Sequence, residues 1–303
     1  MVRKIAIIIF FLYYSLSGGI AQPFPSPESN IRFLFTSAMQ APTTLGDDDH
    51  IQITYFVIPE NYSGTFFLWI LNPGCRNTMD EIIGEPDSKF KFTLSGGEEV
   101  YSPLDQKDYG SGNVLFSRVF SNESFNSTFF PEVNPKNGCR LPGFNGRLFK
   151  IIVEGLEGDD GNNYTFFLSS SDTDMIPVKN SKFFFNEITF MMTNEYSEAI
   201  TIHPYISPEA RGITLRNFDF DDQGILKLVS PTRKERKLMS SGDNEYMLSL
   251  QKIYSSEKNN KFVIRIEIPE KQNESMNYAT LIWLVEDKNG NDISLPFPES
   301  NNK

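Results

Sequence analysis

Hydrophobic and polar residues alternate with a period of two along much of this chain. The alternation is clearest at residues 51–58, 89–95 and 262–268, where apolar side chains form one face and mostly polar side chains the other. This pattern predicts antiparallel strands with one buried and one wet face. The run from Phe66 to Leu71 is apolar on both faces, so it predicts a central strand that is covered on both sides.

The same pattern predicts more strands, and no segment shows a sustained apolar period of 3.6 residues with helix caps. Turn-forming sequences separate the strands, among them Gly158-Asp159-Asp160-Gly161. The fold class is therefore predicted to be all-β, with two tandem antiparallel β-sandwich domains. Further strands are predicted near residues 31–37, 113–120, 147–154, 163–169, 183–192, 199–206, 213–218, 225–230, 246–253, 278–286 and 292–297.

A polar, proline-containing segment at residues 170–181 lies between two sets of predicted strands. It indicates a boundary between a first β-sandwich at residues 30–171 and a second, immunoglobulin-like β-sandwich at residues 181–300. Residues 101–146 alternate poorly and are rich in Asn, Ser, Pro and Gly. They predict a long loop in the first domain, and loops of this length are usually functional or mobile.

The first 21 residues carry the features of a secretory signal peptide. Arg3 and Lys4 precede an apolar stretch of about ten residues, too short to span a bilayer as a helix, and small residues end at Ala21. We predict cleavage after Ala21. The chain is therefore expected to be secreted or attached to the cell surface, the periplasm included, without a membrane span.

The formal net charge of −11 restricts the partners of this protein. An acidic surface repels nucleic acid and anionic lipid, so neither is expected as a partner. Extracellular proteins, glycans and other copies of the chain remain as expected partners. The one basic run, Arg233-Lys234-Glu235-Arg236-Lys237, is interpreted as a solvated hairpin loop.

Two cysteines, Cys75 and Cys139, lie in Gly- and Pro-containing sequences of a chain that is expected to be exported. Thiols oxidise in such compartments, so a Cys75–Cys139 disulfide is predicted. It would stabilise the fold by about 4 kcal/mol in the chain-entropy description. The alternatives are two free thiols or pairing with another chain.

Residues 45–170 contain the sequence elements ITYFVIPENYSGTFFLWIL, KFKFTLSGG and RLFKIIVEGLEGDDGNNYTFFLSSS, preceded by acidic residues. In this order they resemble the bacterial pre-peptidase C-terminal domain, a β-sandwich appended to secreted proteases. The resemblance implies a non-catalytic module, sometimes calcium-bound, that aids export, binding or assembly.

Acidic residues cluster before the strand at 51–58 and again in the turn after residue 158. Calcium takes six to eight oxygen ligands, mostly from carboxylates and carbonyls in loops. Asp47 and Asp49 from the first cluster, with Asp159 and Asp160 from the second, are therefore candidate calcium ligands. The alternative is that the first cluster is only the solvated start of a strand.

Catalytic chemistry has little support in the sequence. Only two histidines are present, and no strained nucleophile turn of the G-x-S-x-G type occurs. Trp69 is a candidate for stacking on a ligand, with core packing as the alternative. We expect a non-catalytic binding or structural protein; the alternatives are a subunit of an extracellular assembly or filament, and an extracellular hydrolase with an unrecognised site.

Overall fold

The computed structural model describes residues 23–46, 50–102, 109–121, 126–140, 145–192, 199–220, 224–268 and 277–295. These residues form strands, short 3-10 turns and loops, which confirms the predicted all-β class. The strands are β1 (Leu34–Ser37), β2 (Ile51–Pro59), β3 (Phe67–Leu71), β4 (Lys89–Gly96), β5 (Asn113–Phe120), β6 (Ser127–Phe129), β7 (Cys139–Arg140), β8 (Gly146–Glu157), β9 (Gly161–Ser169), β10 (Lys182–Phe184), β11 (Glu187–Met192), β12 (Ile200–Ile202), β13 (Tyr205–Ile206), β14 (Gly212–Phe218), β15 (Ile225–Val229), β16 (Arg236–Lys237), β17 (Tyr246–Lys252), β18 (Asn260–Lys261), β19 (Val263–Glu267) and β20 (Asn277–Glu286).

The first half of the chain forms two antiparallel sheets. Sheet I has the order β1-β9-β3-β6, and sheet II the order β10-β2-β8-β4-β5, with β7 also pairing with β8. Alternate residues of each strand point between the two sheets. Phe92 of sheet II lies there with its ring centroid 5.1 Å from that of Tyr164 and 6.3 Å from that of Phe166, both in sheet I.

The second half repeats this arrangement with other strands. Sheet III has the order β11-β20-β14-β17, sheet IV the order β12-β19-β15-β16, and β13 and β18 form a short ribbon. Leu215 and Leu281 of sheet III are fully buried together with Leu226 and Ile264 of sheet IV. One large hydrophobic cluster contains buried residues from all four sheets, and two smaller clusters lie beside it. The division into two tandem domains stays a prediction.

Strand pairing places the change from one set of strands to the other between β10 and β11. β10 pairs with β2 of sheet II, although the predicted boundary assigns residue 182 to the second domain. β11 pairs with β20 of sheet III. The predicted strand at 292–297 appears in its described part only as a bridge between Glu286 and Asp292.

The predicted disulfide between Cys75 and Cys139 is wrong, because both cysteines are free thiols. Cys75 is buried between sheets I and II, and its Sγ lies 3.5 Å from the carbonyl oxygen of Gly161. Cys139 lies opposite Leu148 on the outer face of sheet II. Sheet II therefore separates the two sulfur atoms, a placement that spacing along the chain does not reveal.

A search for a membrane-spanning helix finds none among the described residues.

Candidate functional site

The structure brings two of the four candidate calcium ligands together and adds a carboxylate that the sequence analysis missed. Carboxylate oxygens of Asp87, Asp159 and Asp160 all lie within 4.8 Å of one another. Asp47 and Asp49, the other two candidates, lie outside the described residues. Asp87 belongs to the loop before β4, far from the other two in sequence, so no local pattern marks it.

Asp160 is fully buried and its carboxylate is already used by the fold. Its Oδ1 accepts the N–H of Ile83 at 2.8 Å, and its Oδ2 accepts those of Asp87 and Ser88 at 3.3 and 3.2 Å. The side chain thereby fixes residues 83–88 against the turn between β8 and β9. Gly158 starts this turn with φ of +86°, a conformation that favours glycine. We expect Asp160 to be a structural residue, while the calcium hypothesis stays a prediction.

A second acid, the half-buried Asp80, lies in the same region. Its oxygens accept the N–H groups of Asn77 at 2.7 Å and Asn163 at 2.9 Å. Burial nevertheless dominates and raises its pKa to about 6. The burial of Cys75 and its nearness to Asp80 and Asp160 raise the pKa of the thiol as well, so Cys75 stays protonated at neutral pH.

Tyr278 of β20 ties this acidic region to the second set of strands. Its ring stacks on Phe35 of β1 with centroids 3.9 Å apart. Its hydroxyl lies 3.2 Å from Nδ2 of Asn163, which donates a hydrogen bond to it. The region is therefore a packed, hydrogen-bonded contact between the two sets of strands rather than an open site.

An open site lies where the N-terminal segment at 23–26 meets β10, the loop after β12, Trp283 of β20 and the segment that follows β20. It is a cavity of about 450 Å³. Its walls are formed by aromatic side chains, by basic side chains, and by small polar or aliphatic side chains. Its aromatic and basic lining residues are Phe24, Phe183, Phe184, Phe185, Tyr205, Trp283, Lys182, Lys261 and His203.

The aromatic wall of this cavity is held by ring–ring contacts. Phe24 stacks on Phe183 with ring centroids 4.8 Å apart, and Phe185 meets Trp283 edge-on at 5.2 Å. Tyr205 donates its hydroxyl hydrogen bond to Oδ1 of Asn259. These contacts fix the rings before a ligand arrives, so little side-chain freedom is lost on binding.

The charged groups of the cavity are all basic among its described lining residues. Lys182 and Lys261 are exposed at its edge, and His203 lies between β12 and β13. Burial and the charge of Lys261 lower the pKa of His203, while Glu28 acts in the opposite direction. The lowered pKa favours the neutral imidazole, which can both donate and accept a hydrogen bond.

Sequence reasoning did not find this cavity. It assigned Phe183 and Phe184 to a predicted strand at 183–192 and His203 to another at 199–206. The signal that could have helped is the Phe183-Phe184-Phe185 run, because three successive large rings cannot all point to one side of a strand. The remaining lining residues come from segments that are distant in sequence.

Trp69, the candidate for ligand stacking, is only 9% exposed. Its ring centroid lies 5.0 Å from that of Phe129, and its indole N–H donates to the carbonyl oxygen of Ser171 at 3.1 Å. Stacking on a ligand would require this ring to be uncovered first. The role of Trp69 in ligand binding stays a prediction.

No protein-family model matches the sequence, and no curated protein matches it. Among solved structures, the tandem CBM22-1–CBM22-2 domain of Paenibacillus barcinonensis Xyn10C has 7% identity and a TM-score of 0.21, over 77% of this chain and 79% of that chain. The PBSX exported protein XepA has 8% identity and a TM-score of 0.22, over 88% and 87% of the two chains. Tripeptidyl peptidase 2 has 11% identity and a TM-score of 0.25, over 84% of this chain and 23% of that one. Likeness at this level carries neither a ligand nor a function to this chain.

Proposed function

We propose that this chain is an exported, non-catalytic binding protein whose ligand occupies the aromatic cavity around Trp283. The ligand combines a flat ring or apolar face with an anionic group such as a carboxylate or a sulfate. An acidic glycan or an anionic aromatic molecule presents this chemistry. The single observation that carries the proposal is the combination of six aromatic side chains with Lys182, Lys261 and His203 around one cavity.

The charge of the cavity differs from that of the whole protein. The chain has a net charge of −11, yet its described cavity lining includes two lysines and no carboxylate. A local reversal of charge attracts anions to this place on a surface that otherwise repels them. The aromatic faces then supply stacking area and exclude water from the contact.

Export and the absence of catalysis are part of the proposal. The signal-peptide pattern ends at Ala21, two residues before Pro23 at the cavity. Cleavage there would leave a new N-terminus next to the ligand site. The resemblance of residues 45–170 to the pre-peptidase C-terminal domain also favours a non-catalytic module.

Anilinonaphthalene sulfonate is a suitable first probe, because it carries aromatic rings and one negative charge. The chain has two tryptophans, and only Trp283 is among the residues lining the cavity. Energy transfer from tryptophan to the bound probe should therefore fall far more in Trp283→Phe than in Trp69→Phe. Transfer that is lost only in Trp69→Phe would place the bound probe elsewhere and reject the cavity as the site.

The preference for an anion is tested by removing the positive charges of the cavity and, separately, the negative charge of the probe. The double variant Lys182→Gln/Lys261→Gln should weaken binding about tenfold or more, since each lost charge-assisted contact costs on the order of 1 kcal/mol. Lys136→Gln, an exposed lysine outside the cavity, is the matched control. If the uncharged N-phenylnaphthylamine binds equally well and the double variant has no effect, the anionic part of the proposal is wrong.

Competition then identifies the ligand class. Glucuronate oligosaccharides that displace the probe, where neutral glucose oligosaccharides do not, would support an acidic glycan. Displacement by small aromatic carboxylates alone would instead support an anionic aromatic molecule. If none of these compounds competes although the probe binds at Trp283, the proposed ligand chemistry is wrong, and the cavity still stands as the binding site.

A further inference from the structure

Strand β17 is the last strand of sheet III and pairs with β14 on one side only. Its sequence is Tyr246-Met-Leu-Ser-Leu-Gln-Lys252. An edge strand presents a row of backbone N–H and C=O groups that can pair with another strand. Proteins usually protect such edges with charges, proline, bulges or a covering segment.

Two hydrogen bonds at the ends of β17 show which residues point outward. The N–H of Asp219 donates to the carbonyl oxygen of Glu245 at 3.3 Å, and that of Ile253 to the carbonyl oxygen of Arg211 at 3.0 Å. In an antiparallel pair, bonded and non-bonded residues alternate. Residues 247, 249 and 251 therefore face β14, and the backbone groups of Leu248 and Leu250 point away from it.

One end of this edge is already covered, whereas its centre is open. Nη2 of Arg233 donates to the carbonyl oxygen of Lys252 at 2.9 Å. No hydrogen bond is assigned to the outward backbone groups of Leu248 and Leu250 by any described residue. The two residues are 55% and 69% exposed, so the described part of the chain protects neither the backbone nor the side chains at the centre of this edge.

The strand is self-complementary when a second copy is placed antiparallel to it with a two-fold axis through Ser249. Leu248 then lies opposite Leu250 of the second copy, and Tyr246 lies opposite Lys252. Apolar side chains meet apolar ones, and a cation meets an aromatic ring. The outward backbone groups of Leu248 and Leu250 fall opposite each other, which allows four backbone hydrogen bonds across the pair.

We propose that β17 pairs with β17 of a second copy of this chain, in the register that places Ser249 opposite Ser249. Two copies then share one continuous eight-stranded sheet formed by both sheets III. Such an isologous contact closes after two copies, so it gives a dimer rather than a filament. This proposal does not depend on the cavity around Trp283.

The first test is the mass of the protein by sedimentation over a wide range of concentrations. The wild-type chain should reach the mass of a dimer, and Leu250→Lys should raise the dissociation constant at least about tenfold by placing a charge at the pairing edge. Val114→Lys is the matched control, because Val114 is 64% exposed on β5, the edge strand of sheet II. A monomer at every concentration, or a dimer that Leu250→Lys leaves unchanged, would overturn the proposal.

The second test fixes the register by cross-linking. Ser249→Cys is made in a Cys139→Ser background, where the remaining Cys75 is buried. Residues in a non-hydrogen-bonded antiparallel pair have Cα atoms about 4.5 Å apart, a distance that a disulfide can bridge. Mild oxidation should join two copies through the thiols introduced by Ser249→Cys, but it should not join two copies of the Leu250→Cys variant. The reverse result would reject the register. Unfolding midpoints equal to that of the wild type would show that both variants are folded.

Discussion

The acidic region around Asp160 and the aromatic cavity around Trp283 use their charged side chains in opposite ways. Asp160 is buried and its carboxylate accepts three backbone N–H groups. Lys182 and Lys261 are exposed at the edge of a cavity. In the first region the polar groups hydrogen-bond within the fold, whereas in the second we propose that polar groups and rings contact a ligand.

This difference shows that a dense cluster of charges in the sequence does not by itself mark a site. The Gly-Asp-Asp-Gly turn drew attention because it is acidic, but in the structure one of its two aspartates braces a loop. Lys182 and Lys261 are separated by about a quarter of the chain and drew no attention. Hydrogen bonding in the folded protein, rather than residue type, separates a structural charge from one that can bind.

The largest expected effect concerns Asp160 in the acidic region. Asp160→Ala should lower the free energy of unfolding by about 4 kcal/mol, because three backbone N–H groups lose a fully buried acceptor at a cost of about 1–3 kcal/mol each, partly relieved by exposure to water and relaxation. Asp159→Ala, its half-exposed neighbour, should change stability by less than about 0.5 kcal/mol. Urea unfolding of both variants measures the difference, and equal effects would refute the structural role of Asp160.

The next effect concerns Arg233, from the run that the sequence analysis interpreted as a solvated loop. Its guanidinium binds Glu257, whose side chain is fully buried, with Nη2 2.5 Å from Oε2. Burial alone would raise the pKa of Glu257, but hydrogen bonds from Arg233, Ser230 and the Tyr254 amide outweigh it and lower the pKa. The run is therefore only partly solvated.

Arg233→Met should destabilise the protein by about 3 kcal/mol, because it leaves a buried carboxylate without its partner. Arg265→Met is the control, since Arg265 and its partner Glu267 are both partly exposed and such pairs contribute less than about 1 kcal/mol. Thermal unfolding of the two variants gives the comparison. A loss for Arg265→Met as large as that for Arg233→Met would remove the distinction between the two arginines.

Asp80 provides a pH-dependent version of the same contrast. Its pKa is raised to about 6 in the folded protein, above the value of about 3.9 in an unfolded chain. Between these two values the folded state binds more protons than the unfolded state, so stability should fall as the pH rises from about 4 to 6. The complete loss is about 3 kcal/mol, at about 1.4 kcal/mol for each unit of pKa shift. About 2 kcal/mol of it falls between pH 4 and 6.

Asp80→Asn should remove this part of the pH dependence, because the amide does not titrate yet keeps an oxygen that can accept a backbone hydrogen bond. Unfolding by urea at several pH values between 4 and 6 measures the slope for both proteins. Asp172→Asn, an exposed aspartate in the loop after β9, should leave the slope as it is. An identical slope in wild type and Asp80→Asn would show that Asp80 titrates normally.

Local alternation made most of the strands predictable, because burial of every second residue is written directly into the sequence. It could not reveal β7 and β16, which are two residues long and show no period. Nor could it place Cys75 and Cys139 on opposite sides of sheet II, since that depends on which strands become neighbours. The cavity escaped for the same reason, as its walls come from segments that only the folded chain brings together.

The smallest expected effect concerns calcium at Asp87, Asp159 and Asp160. Because Asp160 already accepts three backbone N–H groups, it has little capacity left for a cation, and we expect the unfolding midpoint to differ by less than about 1 °C between excess calcium and chelator. Scanning calorimetry of the wild type and of Asp159→Asn measures this. If calcium instead raises the midpoint by several degrees and Asp159→Asn abolishes the gain, the acidic cluster is an ion site. The contrast with the cavity would then lie in the ligand each region binds, rather than in whether it binds one.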